Sequence, residues 1–150
     1  LEKGNESVNY YNITGSYIVP NNTNLGEEKD AFKVILGKEA NGSYDSDALS
    51  EDRGNLFRRI KSALDNKTPL YYGIDKKEDV VRDIDGDRVV SYHAFSLIGA
   101  EERDGRYYIK LRNPWGCNYD KNNNIKDAIV TVDLEEATNV PFHINNLGKE

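Results

Sequence analysis

The stretch YHAFSLIGAEERDGRYYIKLRNPWG, residues 92–116, decides the fold of this sequence. Two segments, 91–101 and 106–113, carry apolar residues with the period of two that is typical of β-strands. Between them lies Arg103-Asp104-Gly105, in which the glycine can supply the left-handed residue of a tight turn. The stretch therefore predicts a β-hairpin.

The length of this turn decides which side chains share a face of the sheet. If Arg103-Asp104-Gly105 is a three-residue loop, Glu102 pairs with Arg106, and His93 and Asn113 become diagonal neighbours on one face. A two-residue loop places His93 and Asn113 on opposite faces, unless a β-bulge intervenes. We adopt the three-residue loop as the expected register.

An imidazole beside a carboxamide has a specific chemical use. In the expected register the amide oxygen of Asn113 accepts the ring N–H of His93, which fixes the tautomer and leaves the other ring nitrogen to face a thiol. A neighbouring imidazolium lowers the pKa of a cysteine and stabilises its thiolate. Trp115 lies beside the pair and can shield its hydrogen bond from water.

The rest of the chain predicts an α+β fold with short helices at the N-terminal side packed on an antiparallel β-sheet. Apolar residues at helical spacing predict helices over 27–36 and 55–64, the second capped by Asn55 and Asn66. The segment 41–52 is polar and predicts a surface loop. Further strands are expected at 70–74, at 87–90, and as a final pair at 128–134 and 141–147, with a short turn or helix begun by Asp133.

Composition excludes several classes of function. The 150 residues carry a formal net charge of −6 without a clustered basic stripe, which argues against a nucleic-acid partner. No apolar run is long enough to cross a membrane, so a soluble protein is expected. The single cysteine excludes an internal disulfide framework, and no Cys/His cluster has the spacing of a metal site.

The segments HAFSLIGAEE, residues 93–102, and IKLRNPWG, residues 109–116, resemble the His and Asn segments of calpain-type, papain-like cysteine proteases. A weaker likeness extends over most of the chain. It implies that residues 1–54 are the segment joining the two lobes of the protease core, including a first helix. It also implies that residues 55–150 are the second, His/Asn-bearing lobe, the whole forming one compact domain.

The resemblance implies a role for three residues. His93 would be the general acid/base, Asn113 its orienting partner and Trp115 the shield of their hydrogen bond. The nucleophilic cysteine would belong to an upstream lobe, in the same precursor or on a separate chain, so that these residues alone would not hydrolyse peptide or protein substrates. The chemistry requires no cofactor, and calcium is a candidate regulator only.

This chain departs from the family pattern at two places. Tyr92 stands where the family usually has glycine, and Cys117-Asn118-Tyr119-Asp120 replaces an acidic, Trp-containing loop linked to calcium binding. These differences, with the lack of the appended modules of animal calpains, indicate a divergent microbial relative, cytoplasmic or exported.

Three other residues or groups of residues are candidates for a functional role. Cys117 is the sole thiol and lies near the pair, but the family order of Cys, His and Asn argues against it as the nucleophile. His143 is expected to be structural, and the alternating Asp83, Asp85 and Asp87 to form a solvated turn rather than a calcium loop. The alternative for the whole chain is a non-catalytic pseudoprotease or binding module of the same fold.

Overall fold

A computed structural model describes residues 42–45 and 52–148, in which an antiparallel sheet of six strands is the main element. The strands in chain order are β1 Ser43–Asp45, β2 Tyr71–Ile74, β3 Val81–Arg82, β4 Arg88–Val89, β5 Ala94–Arg103, β6 Arg106–Arg112, β7 Asn118–Tyr119, β8 Ile125–Lys126, β9 Ile129–Asp133 and β10 Phe142–Asn145. The helices are α1 Arg53–Asp65 and α2 Leu134–Ala137. The main sheet has the order β1-β10-β2-β5-β6-β9, and β3-β4 and β7-β8 form two separate ribbons.

Helix α1 confirms the helix predicted at 55–64, with an earlier start. The Asp52 side chain accepts a hydrogen bond from the Asn55 backbone N–H at 2.8 Å, so Asp52 and not Asn55 is the N-cap. Asn66 is the C-cap, as predicted. Leu56 and Ile60 lie one turn apart and are fully buried, each contributing about 1.5–3 kcal/mol of hydrophobic stabilisation.

The core lies where α1 packs against strands β5 and β6 of the sheet. Alternate strand residues point into it, as the period of two predicts. Its largest fully buried side chains are Tyr44, Tyr72, Phe95, Phe142, Leu56, Ile60, Ile74, Leu97, Ile109, Leu111, Leu134 and Ile144. The predicted α+β class with an antiparallel sheet is confirmed.

Tyr72 carries the one polar group of its side chain into this apolar core. Its hydroxyl donates to the Ala137 carbonyl at 2.6 Å, so this buried donor has a partner, and burial raises the pKa of Tyr72.

Two expectations about the strands are wrong. The segment 41–52 is not all loop, because Ser43–Asp45 forms β1 and inserts the buried Tyr44 opposite Ile144. The strands at 128–134 and 141–147 do not pair with each other: β9 pairs with β6, whereas β10 lies between β1 and β2. Helix α2 begins after the predicted Asp133 cap and belongs to the connection between these two distant positions in the sheet. The helix predicted at 27–36 lies outside the described residues.

The hairpin of β5 and β6 brings His93 and Asn113 to one face of the sheet, as expected, but its loop differs from the prediction. Arg103 pairs with Arg106, so the loop has two residues, Asp104 and Gly105, with φ of 50° and 83°. The predicted three-residue loop is therefore wrong, and Asp-Gly adopts the left-handed pair of angles that a two-residue hairpin favours. A β-bulge at Ile98, between the pairs Leu97–Leu111 and Gly99–Lys110, compensates for the shorter loop.

None of the helices in the described part of the chain is long and apolar enough to cross a membrane.

Gly73 lies where the sheet has no room for a larger side chain, because the His143 ring packs against it. It lies between Ala94 and His143, and a Cβ at this position would stand 2.6 Å from Cε1 of the His143 ring. The Nδ1–H of that ring donates to Asp75 at 2.5 Å. Gly73→Ala displaces the ring and is expected to lower the free energy of unfolding by about 1–3 kcal/mol, measured by urea denaturation.

The matched control is Gly99→Ala on the neighbouring strand, where the new Cβ would meet Lys110 at an ordinary 3.5 Å. This change is expected to alter stability by no more than about 0.5 kcal/mol. In a His143→Ala background the cost of Gly73→Ala should fall by at least half, because the clashing ring is gone. An equal cost in both backgrounds would show that the ring is not the obstacle.

Candidate active site

His93 and Asn113 lie together at one end of the central hairpin. His93 immediately precedes β5 and Asn113 immediately follows β6, and their side chains meet with His93 Nε2 2.9 Å from Asn113 Oδ1. Asn113 is fully buried, whereas the imidazole is half-buried. The structure thus brings together the two residues that the sequence singled out, although they are 20 positions apart.

Trp115 covers the pair through a turn whose sequence explains its shape. Asn113-Pro114-Trp115-Gly116 places proline second and glycine fourth, as β-turns favour, and the Gly116 N–H donates to the Asn113 carbonyl at 2.9 Å. The indole centroid lies 4.5 Å from that of the His93 ring. With 48% of its surface exposed, Trp115 contacts the imidazole on one side and faces solvent on the other.

The backbone N–H of Trp115 also takes part in the site. It donates to Asn113 Oδ1 at 3.0 Å, so this oxygen accepts two hydrogen bonds, one from the backbone and one from His93. A carboxamide oxygen has two lone pairs, and both are used here. The oxygen is therefore held in place toward the imidazole.

Asn118 is the residue of this site that the sequence analysis missed. Its Oδ1 accepts from Asn113 Nδ2 at 3.1 Å, and its own Nδ2 lies 2.9 Å from the carbonyl oxygens of Asp127 and Ala128. Asn118 lies on β7, which pairs with β8 and so approaches the start of β9. No local sequence pattern singles out Asn118, because its contact with Asn113 depends on the pairing of two short strands and not on spacing along the chain.

The environment of His93 favours the neutral ring. Burial lowers the pKa of His93 from its usual 6.5, and the hydrogen bond to Asn113 opposes this effect without outweighing it. At neutral pH the imidazole is therefore uncharged. With its N–H directed to Asn113, Nδ1 carries a lone pair and can accept a proton.

The residue before His93 has an unusual backbone. Tyr92 adopts a φ of 56°, in the left-handed region that favours glycine, and its N–H donates to the Ile74 carbonyl at 3.0 Å. Its side chain is 71% exposed. Tyr92 therefore occupies a backbone position that glycine would adopt without strain.

Three aspartates of the β3–β4 turn form an acidic cluster that encloses a lysine. Lys126 Nζ lies 2.9 Å from Asp83, 3.3 Å from Asp85 and 2.6 Å from Asp87. Asp83 and Asp87 are buried, so the expectation of a solvated turn is wrong for these two. Oxygen atoms this close to one another could hold a metal ion, but the ammonium group of Lys126 already supplies a positive charge between them.

The remaining candidates have other contacts. Cys117 is half-buried, and its hydrogen bond with the Tyr119 hydroxyl raises the pKa of Tyr119. His143 bonds to Asp75 and packs over Gly73 on another strand. The structural roles expected of Cys117 and His143 stay predictions.

No protein-family model matches this sequence, and a search of curated proteins finds no match.

The pKa of His93 provides a test of its environment. Asn113→Leu keeps a side chain of similar size but removes the acceptor that favours the protonated ring, so the pKa of His93 should fall further below 6.5. The two histidines can be titrated separately by proton NMR, and His143 serves as an internal control. An unchanged or higher pKa of His93 would contradict the assigned contact.

The same lowered pKa predicts how stability depends on pH. Because folded His93 binds a proton less readily than unfolded His93, the unfolded chain binds more protons just below pH 6.5. Protonation of His93 therefore favours the unfolded chain, and the free energy of unfolding should decrease as the pH falls below about 6.5.

The substitution Lys126→Met, which removes the positive charge from the acidic cluster, is expected to change how stability depends on pH. Lys126 lowers the pKa of Asp87, so in the wild type this stabilisation is present at neutral pH and is lost as the pH falls below about 4. Without the ammonium group the three carboxylates repel one another. The variant should have a lower urea midpoint at neutral pH and should regain stability on mild acidification.

The control is Lys110→Met, which removes an exposed ammonium group 3.9 Å from Glu101. A surface pair of this kind contributes little, so the midpoint should change only slightly and keep the wild-type dependence on pH. If Lys126→Met behaves like this control, the cluster does not need its lysine.

Proposed function

We propose that this chain is the His/Asn-bearing lobe of a papain-like, calpain-type cysteine endopeptidase. The observation that carries the proposal is the 2.9 Å contact between His93 Nε2 and Asn113 Oδ1, beneath a half-exposed tryptophan. The contact leaves Nδ1 of a neutral imidazole to face a reacting group. A positioned base of this kind is what a thiol nucleophile requires.

The reaction would be acyl transfer to a cysteine of the other, upstream lobe. Nδ1 of His93 takes the thiol proton, and the resulting thiolate attacks the carbonyl carbon of the peptide bond. The imidazolium then donates this proton to the leaving amine as the C–N bond breaks. His93 next takes a proton from water, whose oxygen attacks the thioester carbonyl carbon. The C–S bond then breaks, the acid product leaves, and the imidazolium returns its proton to the thiolate, which restores the thiol.

Asn113 and Trp115 would support His93 in these steps. The carboxamide holds the ring in one orientation while Nδ1 gains and loses a proton, because its oxygen can accept from Nε2–H in both charge states. Trp115 excludes water from one side of this bond, which strengthens it.

The surface around His93 suits contact with another lobe. Tyr92 precedes His93 in the chain, Trp115 packs against its ring, and the two residues expose 71% and 48% of their surface. Exposed aromatic side chains beside a reactive group are typical of a site that is completed by a partner surface or a substrate. The cleft would lie between this face and the cysteine-bearing lobe.

Labelling of the assembled protein, in which this chain is joined to or bound by its cysteine-bearing lobe, tests the proposal. A peptide with a thiol-reactive electrophile should label the cysteine of the other lobe. His93→Ala should slow labelling by at least about 100-fold, the range of general acid/base catalysis. The rate is measured by mass spectrometry of the labelled chain over time.

Two control variants identify the residues responsible. His143→Ala makes the same substitution at the other histidine, and Cys117→Ser removes the only thiol of this chain; both should leave the labelling rate unchanged. Undiminished labelling in His93→Ala would refute the role of His93. Label found on Cys117 would identify a different nucleophile, and a partner lobe without any reactive thiol would favour the pseudoprotease.

A further inference from the structure

We propose that Asn118 is a positioning residue, which sets the direction of the hydrogen bonds that end at His93 and thereby the ring nitrogen that carries the proton. The inference rests on the proposed function for its catalytic meaning, but its structural content can be tested without it. We refer to Asn118, Asn113 and His93 as the amide chain.

The direction of the amide chain is set first by two backbone carbonyls. The oxygens of Asp127 and Ala128 can only accept hydrogen bonds, and both lie 2.9 Å from the same terminal atom of Asn118. That atom must therefore be the donor, Nδ2. The carboxamide of Asn118 then has to present its oxygen to Asn113.

Asn113 transmits this direction to His93. Its Nδ2 donates to Asn118 at 3.1 Å, so its oxygen points the other way, toward the Trp115 N–H at 3.0 Å and His93 at 2.9 Å. A rotated amide would place oxygen against oxygen at Asn118 and N–H against N–H at Trp115. The oxygen consequently requires a proton on Nε2 of His93, and leaves Nδ1 as the base.

Because Asn113 and Asn118 are buried, a water molecule cannot easily take the place of the Asn118 side chain as the acceptor for Asn113. Asn113 is fully buried and Asn118 is 7% exposed, so solvent has little access to the bond between them. Without Asn118 the Nδ2 of Asn113 becomes a buried donor with no acceptor, which is more costly than an ordinary lost hydrogen bond. Asn113 then gains by turning away from the imidazole to find another acceptor.

The experiment measures the exchange of the His93 Nε2–H proton with water, by NMR of the 15N-labelled chain at a pH where His93 is neutral. In the wild type the proton should reside on Nε2 and exchange slowly. Asn118→Leu, which removes the acceptor at similar size, should accelerate exchange about tenfold, equivalent to about 1.4 kcal/mol. Asn118→Asp retains an oxygen acceptor for Asn113, and burial favours the protonated carboxyl group, whose O–H can still donate to the Asp127 and Ala128 carbonyls. This variant should therefore keep most of the protection.

A matched control separates this role from general destabilisation. Asn146 is also a buried carboxamide that donates to a backbone carbonyl, that of Pro69, and its φ of 75° suits glycine. Asn146→Gly should leave the exchange of His93 Nε2–H unchanged. If Asn118→Leu does not fold, Asn118→Ala removes the same acceptor without added bulk, and Asn118→Asp decides the question independently.

Three results would overturn the inference: a proton on Nδ1 in the wild type, unchanged exchange in a folded Asn118→Leu or Asn118→Ala protein, or equally fast exchange in Asn118→Asp. None of these measurements involves a thiol or a substrate. Failure of the labelling experiment with a slowly exchanging Nε2–H would refute the protease and leave the role of Asn118 intact, whereas the reverse pattern would refute only the role of Asn118.

Discussion

The pairing of β5 with β6 is the constraint on which the site depends. Side chains alternate between the two faces of a strand, so a shift of one residue would move Asn113 to the face away from His93. The two-residue turn at Asp104 and Gly105 introduces such a shift, and the bulge at Ile98 cancels it. The 2.9 Å contact of imidazole and carboxamide is the outcome of these two local features together.

Two groups of buried polar side chains in the described part of the chain are satisfied by connected sets of partners. Asn113 and Asn118 form one such set, which ends on backbone carbonyls at one side and on the imidazole at the other. Asp83, Asp87 and Lys126 form another, in which an ammonium group compensates carboxylates that are withdrawn from water. In a low-dielectric interior, each member fixes the orientation of the next, and both sets link the short ribbons to neighbouring parts of the chain.

Much of the fold could be predicted from local sequence patterns, and the departures have a common cause. The period of two, the helical spacing around Leu56 and Ile60, and the cap at Asp133 are local signals, and they placed elements within a few residues. The juxtaposition of His93 and Asn113 was expected, but from the wrong loop length, because a bulge leaves little trace in sequence. The roles of Asn118 and of Lys126 depend on pairing between distant segments, which no local pattern specifies.

The Ile98 bulge also limits how the length of this hairpin can vary during evolution. Deletion of one residue between His93 and Asn113 would change the parity of the hairpin, whereas removal of a cross-strand pair would shorten both arms and preserve it. Homologous hairpins that keep the imidazole beside the carboxamide are therefore expected to differ by even numbers of residues, or by an odd number together with gain or loss of a bulge. An insertion or deletion of one residue here could therefore separate the imidazole from the carboxamide without changing either residue.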